Sequence, residues 1–210
     1  MDPEQAVVFC AYSGIRAGAR NIWEAAMVAR LARLARQGML DPEMSAPYDD
    51  ETFRREAFAV ISPHRAQNSA ILAELGAGGW PRESMPVVDT VERMQGNERE
   101  MIVVSYGVAD REYAEREAEF LLNPNRFNVA ITRARAKLVV FVSQDVLRAL
   151  PRDERVMADS LALKGYPSAP GAVSTPLTLP GPDGPIHAIC HRWAVGSPAS
   201  PRMPRPLLAP

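Results

Sequence analysis

Five short apolar runs, spaced along the first two thirds of the chain, constrain the fold more than any other feature. They are AVVFCAY, AFAVIS, MPVVDT, EMIVVSYGV and KLVVFVS, and helical patterns such as PHRAQNSAILAEL and REYAEREAEFLL separate several of them. Strands that are apolar throughout must be covered on both faces. The pattern therefore predicts an α/β fold, with a parallel sheet between two layers of helices. In such folds the chemistry lies at helices and loops that leave the carboxyl ends of the strands.

Two helix starts can be placed from local signals. Residues 21–37 have an apolar face, with Asn21 as a suitable N-cap and Gly38 as the end. Glu24 stands three residues after Asn21, where its side chain can return the reciprocal hydrogen bond of a capping box. A second helix follows AFAVIS, with Pro63 in its first turn.

Composition excludes few classes of function. The chain has 210 residues and a formal net charge of -1, so any binding of a polyanion needs a local patch. Of its 24 basic residues only Lys137 and Lys164 are lysine, so the arginines have to be considered one at a time. No window resembles a signal peptide or a membrane span, and a cytoplasmic protein without a membrane partner is expected.

The C-terminal part of the sequence has a different character. Residues 166–210 hold 11 of the 19 prolines and no periodic apolar face, which predicts a disordered Pro-rich tail. His187, Cys190 and His191 lie inside it, but without further ligands and a fold no metal site is expected. Cys10 and Cys190 lie at opposite ends of the chain, which indicates neither a disulfide framework nor a zinc spacing.

The stretch NPNRFNVAITRAR predicts a helix that carries arginines. Asn123 is a good N-cap and Pro124 a good first residue. Arg126 and Arg133 lie on one edge of the apolar face, two turns or roughly 10 Å apart. A guanidinium is a permanently charged fork that can bind phosphate oxygens in pairs. The spacing leaves open that these arginines are solvated, or that they pair with acids such as Glu98 or Glu119.

Two further stretches could bind a ligand. In VDTVERMQGNERE, Gly96 permits a tight turn, Gln95 can donate and accept, and Glu98 could take a sugar hydroxyl or an arginine. An acidic hairpin-like loop explains the same residues.

The other stretch, VISPHRAQNSAI, leads from a strand end to a helix start, where Arg65, Gln67 and backbone N–H groups could meet an anion. Capping of the helix by Ser62 is the simpler interpretation of half of this pattern.

The order of the motifs is more specific than any one of them. SGIRAGARNIWEA, VISPHRAQ, VDTVERMQGNEREMIVVSY and EFLLNPNRFNVAITRARAKLVVFVS closely resemble the second RecA-like lobe of superfamily 1 helicases. The nearest group contains the nonsense-mediated-decay helicase and the Okazaki-fragment helicase-nuclease. The resemblance covers residues 6–150 and implies a RecA-like sheet of the P-loop NTPase type, in a domain over residues 1–155. In that family ATP lies between two RecA-like lobes.

The resemblance also implies roles for individual residues. Arg133 would be the arginine finger that stabilises charge on the γ-phosphoryl group of ATP. The other residues of the ATP site would be Gln95, Gly96, Glu98 and Arg126, of which Arg126 orients the helix. A single strand of DNA or RNA would lie along Ser62, Pro63, Arg65, Gln67 and Thr90.

The sequence departs from the family in two ways. Met94 precedes Gln95, where the family usually has an aromatic residue. A P-loop needs Gly-Lys, which does not occur here, so the ligands of Mg²⁺ and the phosphate loop are expected on a first, N-terminal lobe. We therefore expect that this chain alone neither hydrolyses ATP nor unwinds a duplex, and that it is a fragment or a split gene product. The alternative is a non-catalytic module that binds nucleic acid or docks on an ATPase in trans.

Overall fold

A seven-stranded sheet organises the protein, seen as a computed structural model that describes residues 5–39, 49–94 and 97–194. The order of the strands is β3-β2-β4-β5-β1-β7-β6. Their bounds are Gln5–Ser13 (β1), Phe58–Ile61 (β2), Val87–Asp89 (β3), Arg99–Ser105 (β4), Ala134–Ser143 (β5), Val173–Gly181 (β6) and Gly184–Ala194 (β7).

Strands β1 to β5 are parallel to one another, and they correspond to the five apolar runs of the sequence. The predicted α/β class is therefore confirmed. Strands β6 and β7 add an antiparallel pair at the β1 edge. The sheet is thus mixed, where the sequence predicts a parallel one.

Helices cover both faces of the parallel part. Their bounds are Ile22–Met39 (α1), Asp50–Thr52 (α2), Arg65–Ala77 (α3), Arg111–Arg116 (α4), Ala118–Leu121 (α5), Pro124–Ile131 (α6), Gln144–Arg148 (α7) and Glu154–Lys164 (α8). A π-helical turn, Phe53–Ala57, continues α2, and short 3-10 turns lie at Arg82–Ser84 and Tyr166–Ser168. None of the described helices is long and apolar enough to cross a membrane.

The two faces of the sheet hold separate apolar cores. Helices α1 and α3 pack on one face, where Val28 and Ile71 lie in the same cluster as Val103 of β4. Helices α4 to α8 cover the other face, where Phe127 of α6 packs with Val140 of β5. Alternate residues of each strand point to opposite faces, so the apolar runs supply both cores at once.

The start of α1 agrees with the prediction in one respect and differs in another. Asn21 caps the helix, because its Oδ1 accepts the backbone N–H of Glu24 at 2.9 Å. The side chain of Glu24 does not return the bond, however. It turns inward and is fully buried.

The start of α3 lies later than the sequence predicts. Its N-cap position is His64, whose side chain makes no capping bond, and Pro63 precedes the helix. Ser62 Oγ accepts the backbone N–H of His64 at 3.4 Å, so Ser62 organises the strand-to-helix turn from a buried position.

The prediction of a disordered tail is wrong for residues 173–194, which form the hairpin of β6 and β7. In β7, Ile186, Ala188 and Cys190 are buried in alternation, the pattern of a half-covered strand. Two of the prolines that suggested disorder, Pro176 and Pro180, lie on β6, which tolerates them because it is the outermost strand. The remainder of the predicted tail, residues 195–210, lies outside the described residues.

Packing also continues past the predicted domain boundary at residue 155. Leu163 of α8 and Trp193 of β7 belong to the same buried cluster as Val140 of β5. Residues after 155 therefore complete the core on that face of the sheet.

Candidate nucleotide and nucleic-acid sites

Two of the predicted ATP-site segments meet at the amino edge of the parallel strands. The backbone N–H of Arg99, the first residue of β4, donates to the carbonyl of Arg133 at 3.0 Å. Glu98 directly precedes this contact, and Arg133 directly precedes β5. The structure therefore brings Glu98 and Arg133 side by side. Gln95 and Gly96, the other two residues of the predicted loop, lie outside the described residues.

Helix α6 sets the position of Arg133. Asn123 Oδ1 accepts the N–H groups of Asn125 at 3.0 Å and of Arg126 at 3.3 Å, and Pro124 is the first helical residue, as predicted. The helix ends one turn before β5 begins. In that turn the half-exposed Arg133 donates from Nε to the carbonyl of Val129 at 3.2 Å.

Arg133 differs from the arginines on either side of it. Arg126 pairs with Glu92 at 2.7 Å, and its guanidinium lies 4.1 Å from the centre of the Phe120 ring. Arg135 pairs with Glu100 at 3.2 Å. In the described part of the chain no carboxylate lies within ion-pair distance of Arg133. Among the described residues, its Nη2 donates to the hydroxyl of Thr132 at 3.3 Å.

The two acids that the sequence offered as partners for these arginines, Glu98 and Glu119, do not form ion pairs with them in the described part of the chain. Glu119 pairs with Arg155 at 3.1 Å. Glu98 is exposed and has no ion pair among residues 5–39, 49–94 and 97–194; its carbonyl accepts from Arg99 Nη1 at 2.8 Å. A cation and a carboxylate that have no ion pair within the described residues thus lie together at the amino edge, where they could contact the phosphates and the ribose of a nucleotide.

The predicted nucleic-acid residues lie at the other edge of the sheet. The N–H of Ser62, after β2, donates to the carbonyl of Asp89 at 3.1 Å, and Thr90 follows directly. Pro63 and Thr90 are partly exposed, and Arg65 is exposed. The structure therefore brings these two segments together at the carboxyl ends of β2 and β3.

Gln67 has no exposed atom with which to bind a strand. Its Oε1 accepts the N–H of Asn21 at 2.8 Å, and its Nε2 donates to Ser105 Oγ at 3.1 Å. We therefore reassign Gln67 from the predicted nucleic-acid surface to an internal role. Ser62 is equally buried and acts through the turn that it holds.

Gln67 belongs to a buried polar cluster centred on Glu24. Ser105 Oγ and the N–H of Gly107 donate to Glu24 Oε1 at 2.6 and 2.9 Å, and Tyr12 donates to Oε2. Asn21 Nδ2 donates in turn to the hydroxyl of Tyr12 at 2.9 Å. The cluster joins the carboxyl ends of β1 and β4 to the starts of α1 and α3, and so fixes the edge that carries Ser62 and Pro63.

The ionisation of Glu24 is shifted by this environment. Burial raises the pKa of its carboxyl group to about 7, although hydrogen bonds from Ser105, Tyr12 and Gly107 act to lower the pKa. This cluster was not predicted from the sequence, because an Asn followed three residues later by a Glu also indicates a capping box. One signal for the burial of Glu24 was available in the sequence. Glu24 lies between Trp23 and Ala25, which are both on the buried side of α1.

Met94, which stands where the family usually has an aromatic residue, lies in the core. Its side chain is 1% exposed and packs in the core with Val91 and Ile102. The residue before Gln95 is therefore a core residue and offers no surface on which a base could stack.

The described residues do not offer a magnesium site of their own. Within residues 5–39, 49–94 and 97–194, no group of three or more His, Cys, Asp or Glu side chains could hold a metal ion. The described residues at the amino edge could contact the phosphates and the sugar of a nucleotide, but they offer no group of ligands for its metal ion.

Comparison with known proteins gives a family match and several relatives. The family described as "AAA domain" matches residues 12–145. MOV-10 of Gallus gallus, which is named as a helicase, is 33% identical over 128 residues, 55% of this chain and 13% of that protein. The "Regulator of nonsense transcripts 1 homolog" of Neurospora crassa is 35% identical over 91 residues, 42% of this chain and 8% of that protein.

A third relative is "DNA replication ATP-dependent helicase/nuclease JHS1" of Arabidopsis thaliana, 34% identical over 94 residues, 44% of this chain and 6% of that protein. The chain thus spans only a small part of the length of these relatives. Among solved structures, the match with an O-methyltransferase from Bacillus cereus covers 81% of this chain and 90% of that enzyme's chain, with 11% identity and a TM-score of 0.33. That likeness is too low to carry an argument.

The family match extends over more than half of the chain, and the relatives are helicases. The chain therefore belongs to the AAA domain family, as a C-terminal helicase domain of the superfamily 1 type.

Proposed function

We propose that this chain is the second motor lobe of an ATP-dependent helicase, which supplies Arg133 to ATP bound against a first lobe. One observation carries the proposal. Among three neighbouring arginines, Arg126 and Arg135 have carboxylate partners, whereas Arg133 has only a carbonyl and a hydroxyl in the described part of the chain. An arginine held in place but left uncompensated is suited to receive an anionic ligand.

Arg133 would act by stabilising charge. When ATP is bound, the nucleotide supplies the phosphoryl group that is transferred to water. The guanidinium of Arg133 would bind the oxygens on which negative charge develops, as arginine fingers do. The contacts with Val129 and Thr132 keep the fork near the amino edge before the ligand arrives, which lowers the entropic cost of binding. Glu98, beside it, would accept from a ribose hydroxyl.

The carboxyl edge would contact a single strand of DNA or RNA. Arg65 is exposed at the start of α3, and Thr90 and Pro63 lie next to it at the ends of β3 and β2. A cationic side chain and a hydroxyl in this arrangement fit a sugar-phosphate backbone, which needs no particular base.

One segment connects the two proposed sites. It leaves β3 at Thr90, on the carboxyl edge, and reaches β4 through Glu98, on the amino edge. Between them Val91 and Met94 are anchored in the core. A change in the contacts of Glu98 with a nucleotide would therefore be transmitted along the segment to the strand-binding side.

A matched pair of variants tests the arginine finger. ATP hydrolysis is measured in the native polypeptide or complex that contains the chain, with Arg133→Lys compared with Arg135→Lys. Lysine keeps the charge but loses the fork, so Arg133→Lys should lower kcat by about 10³-fold. Arg135→Lys should stay close to the wild type, because Arg135 faces Glu100. Equal rates for the two variants would refute the assignment of Arg133.

The strand surface has an independent test. Binding of a labelled single-stranded oligonucleotide to the 210-residue chain is measured by fluorescence anisotropy for Arg65→Glu and for Arg82→Glu. Arg82 is also exposed, but it precedes β3 at the amino edge. We expect Arg65→Glu to weaken binding and to reduce its salt dependence, while Arg82→Glu leaves both unchanged. Equal effects would mean that binding depends on net charge rather than on this edge.

The mass of the native protein distinguishes a lobe within one longer polypeptide from a separate lobe that acts in trans. An antibody against residues 88–143 should detect a band well above the 23.0 kDa of this chain if both lobes lie in one polypeptide. A band at that mass would instead favour action in trans on a separate ATPase.

A further inference from the structure

The two cysteines, which are far apart in the sequence, are neighbours in the sheet. Cys10 of β1 stands directly opposite Cys190 of β7 in the antiparallel register. Both are free thiols, and both are buried. Residues directly opposite each other in an antiparallel pair project to the same face, so the two thiols lie on one side of the sheet.

This arrangement meets the geometric requirement for a disulfide. Opposite residues of antiparallel strands have Cα atoms about 4.5 or about 5.5 Å apart, depending on the hydrogen-bonding position. A disulfide needs Cα atoms about 4.4–6.8 Å apart. Either kind of position therefore allows the bond without a large movement of the backbone.

The thiols are also within reach of a small reagent. They lie on the floor of a groove of about 310 Å³ between α1 and the hairpin of β6 and β7. The walls are mostly apolar, and the side chains that line it include Leu31, Leu34, Leu177 and Leu179. Arg30, Lys137 and Arg192 are the charged residues of the lining.

We propose that Cys10 and Cys190 form a cross-strand disulfide when the protein meets a small disulfide oxidant. The thiolate of Cys190 attacks one sulfur of the oxidant, whose S–S bond breaks and releases one thiolate. Cys10 then attacks the sulfur of Cys190 in this mixed disulfide and releases the second. Two protein thiols are oxidised, one disulfide is reduced to two small thiols, and the two protons pass to those products.

The surroundings of the two thiols indicate which attacks first. Burial, together with the nearby Cys190 and Glu24, raises the pKa of Cys10 to about 12. Burial also raises the pKa of Cys190, but Arg192, two residues further along β7, acts in the opposite direction. Cys190 is therefore the better initial nucleophile. The scarcity of thiolate makes the reaction slow, so the state of the pair reports prolonged exposure to an oxidant.

The bond would fasten the hairpin to the parallel sheet. Strand β7 is held to β1 by backbone hydrogen bonds and by the buried Trp193. A covalent link between Cys10 and Cys190 closes a loop that contains most of the chain, and long loops restrict the unfolded chain strongly. Oxidation should therefore raise the Tm of the protein.

The test uses the reduced 210-residue chain, incubated with 2-hydroxyethyl disulfide. Free thiols are counted after denaturation, and the product is examined by non-reducing electrophoresis and peptide mass spectrometry. We expect the monomer to lose both thiols together, to lose about 2 Da in mass, and to yield a peptide that links Cys10 with Cys190. The oxidised monomer should migrate faster when denatured, melt at a higher temperature, and recover its original behaviour on reduction.

Two variants serve as controls. Cys10→Ser and Cys190→Ser can each form only a mixed disulfide with the reagent, so neither should show the faster migration or the rise in Tm. The proposal is overturned if the wild-type chain keeps both thiols. It is equally overturned if it carries two separate mixed disulfides, or if it cross-links only between molecules.

Discussion

Glu24 places an ionisable group in the interior of the protein, and this makes its effect on stability dependent on pH. Burial raises the pKa of the carboxyl group from 4.5 to about 7, against the opposing hydrogen bonds from Ser105, Tyr12 and Gly107. The folded protein thus binds this proton more tightly than the unfolded chain does. The contribution to stability is fully present below the unfolded pKa of 4.5 and is lost as the pH rises through about 7.

Glu24→Gln should remove this dependence, because glutamine has no proton to lose. Between about pH 5 and about pH 8 the free energy of unfolding of the wild type should fall by about 2–3 kcal/mol more than that of the variant. Urea denaturation at the two pH values measures the difference. Glu51→Gln, which changes an exposed carboxylate paired with Arg55, is the matched control and should behave as the wild type does. The same pH response in Glu24→Gln would show that this proton is not the cause.

Two glycines should respond in opposite directions to replacement by alanine. Gly107 has a φ of 71°, and an added Cβ would lie 2.9 Å from the buried side chain of Gln67. Gly107→Ala should therefore destabilise the protein by more than about 1 kcal/mol. Gly38 lies in α1 with open space around the position of a Cβ, so Gly38→Ala should stabilise it by about 0.5 kcal/mol. Chemical denaturation of both variants measures these changes, and a loss of stability in both would contradict this account.

At the level of elements, the start of α6 determines how well Arg126 and Arg133 are presented. Asn123 satisfies two N–H groups of the first turn. Asn123→Ala should lower the free energy of unfolding by about 1 kcal/mol, whereas Asn125→Ala, at an exposed position of the same turn, should have little effect. Urea unfolding of the two variants makes the comparison. Equal losses would mean that the cap does not stabilise the helix.

The hairpin of β6 and β7 contributes one large side chain, Trp193, to the core. Trp193 is fully buried, but its indole N–H has no hydrogen-bond partner among the described residues. Trp193→Ala should therefore cost about 3–5 kcal/mol through the cavity that it leaves. Trp193→Phe, which keeps a ring and removes an unpaired donor, should cost much less. Thermal unfolding distinguishes the two, and a phenylalanine variant as unstable as the alanine variant would mean that the N–H is essential.

The elements differ in how far the sequence could predict them. Strands β1 to β5 and the start of α6 follow from signals a few residues long, namely apolar runs and the Asn123-Pro124 cap, and they were predicted. The hairpin was missed because its prolines indicated disorder, and only the topology reveals that β6, which holds Pro176 and Pro180, is an outermost strand. The pairing of Arg126 with Glu92 and the inward turn of Glu24 depend on segments that are distant in the sequence, so periodicity could not supply them.

At the scale of the whole molecule, the sheet separates two surfaces with different proposed ligands. Arg133 and Glu98 lie at its amino edge, and Arg65 and Thr90 lie by its carboxyl edge. The buried cluster around Glu24 supports the second surface and takes no part in the first. Variants of Glu24 should accordingly affect strand binding before they affect ATP hydrolysis, which parallel assays of the native complex would measure. The reverse order would contradict this division of roles.

The position of β1 in the sheet has a consequence for folding during synthesis. Among the strands of this sheet β1 is made before the others, yet both of its neighbours, β5 and β7, are made late. At about 5–20 residues per second, a ribosome needs roughly 10–40 s to proceed from the end of β1 to the end of β7. Throughout that interval the nascent chain carries an apolar strand, Gln5–Ser13, with one or both edges open. Chaperones that bind extended apolar segments would have their best opportunity here, on the first strand of this sheet to leave the ribosome.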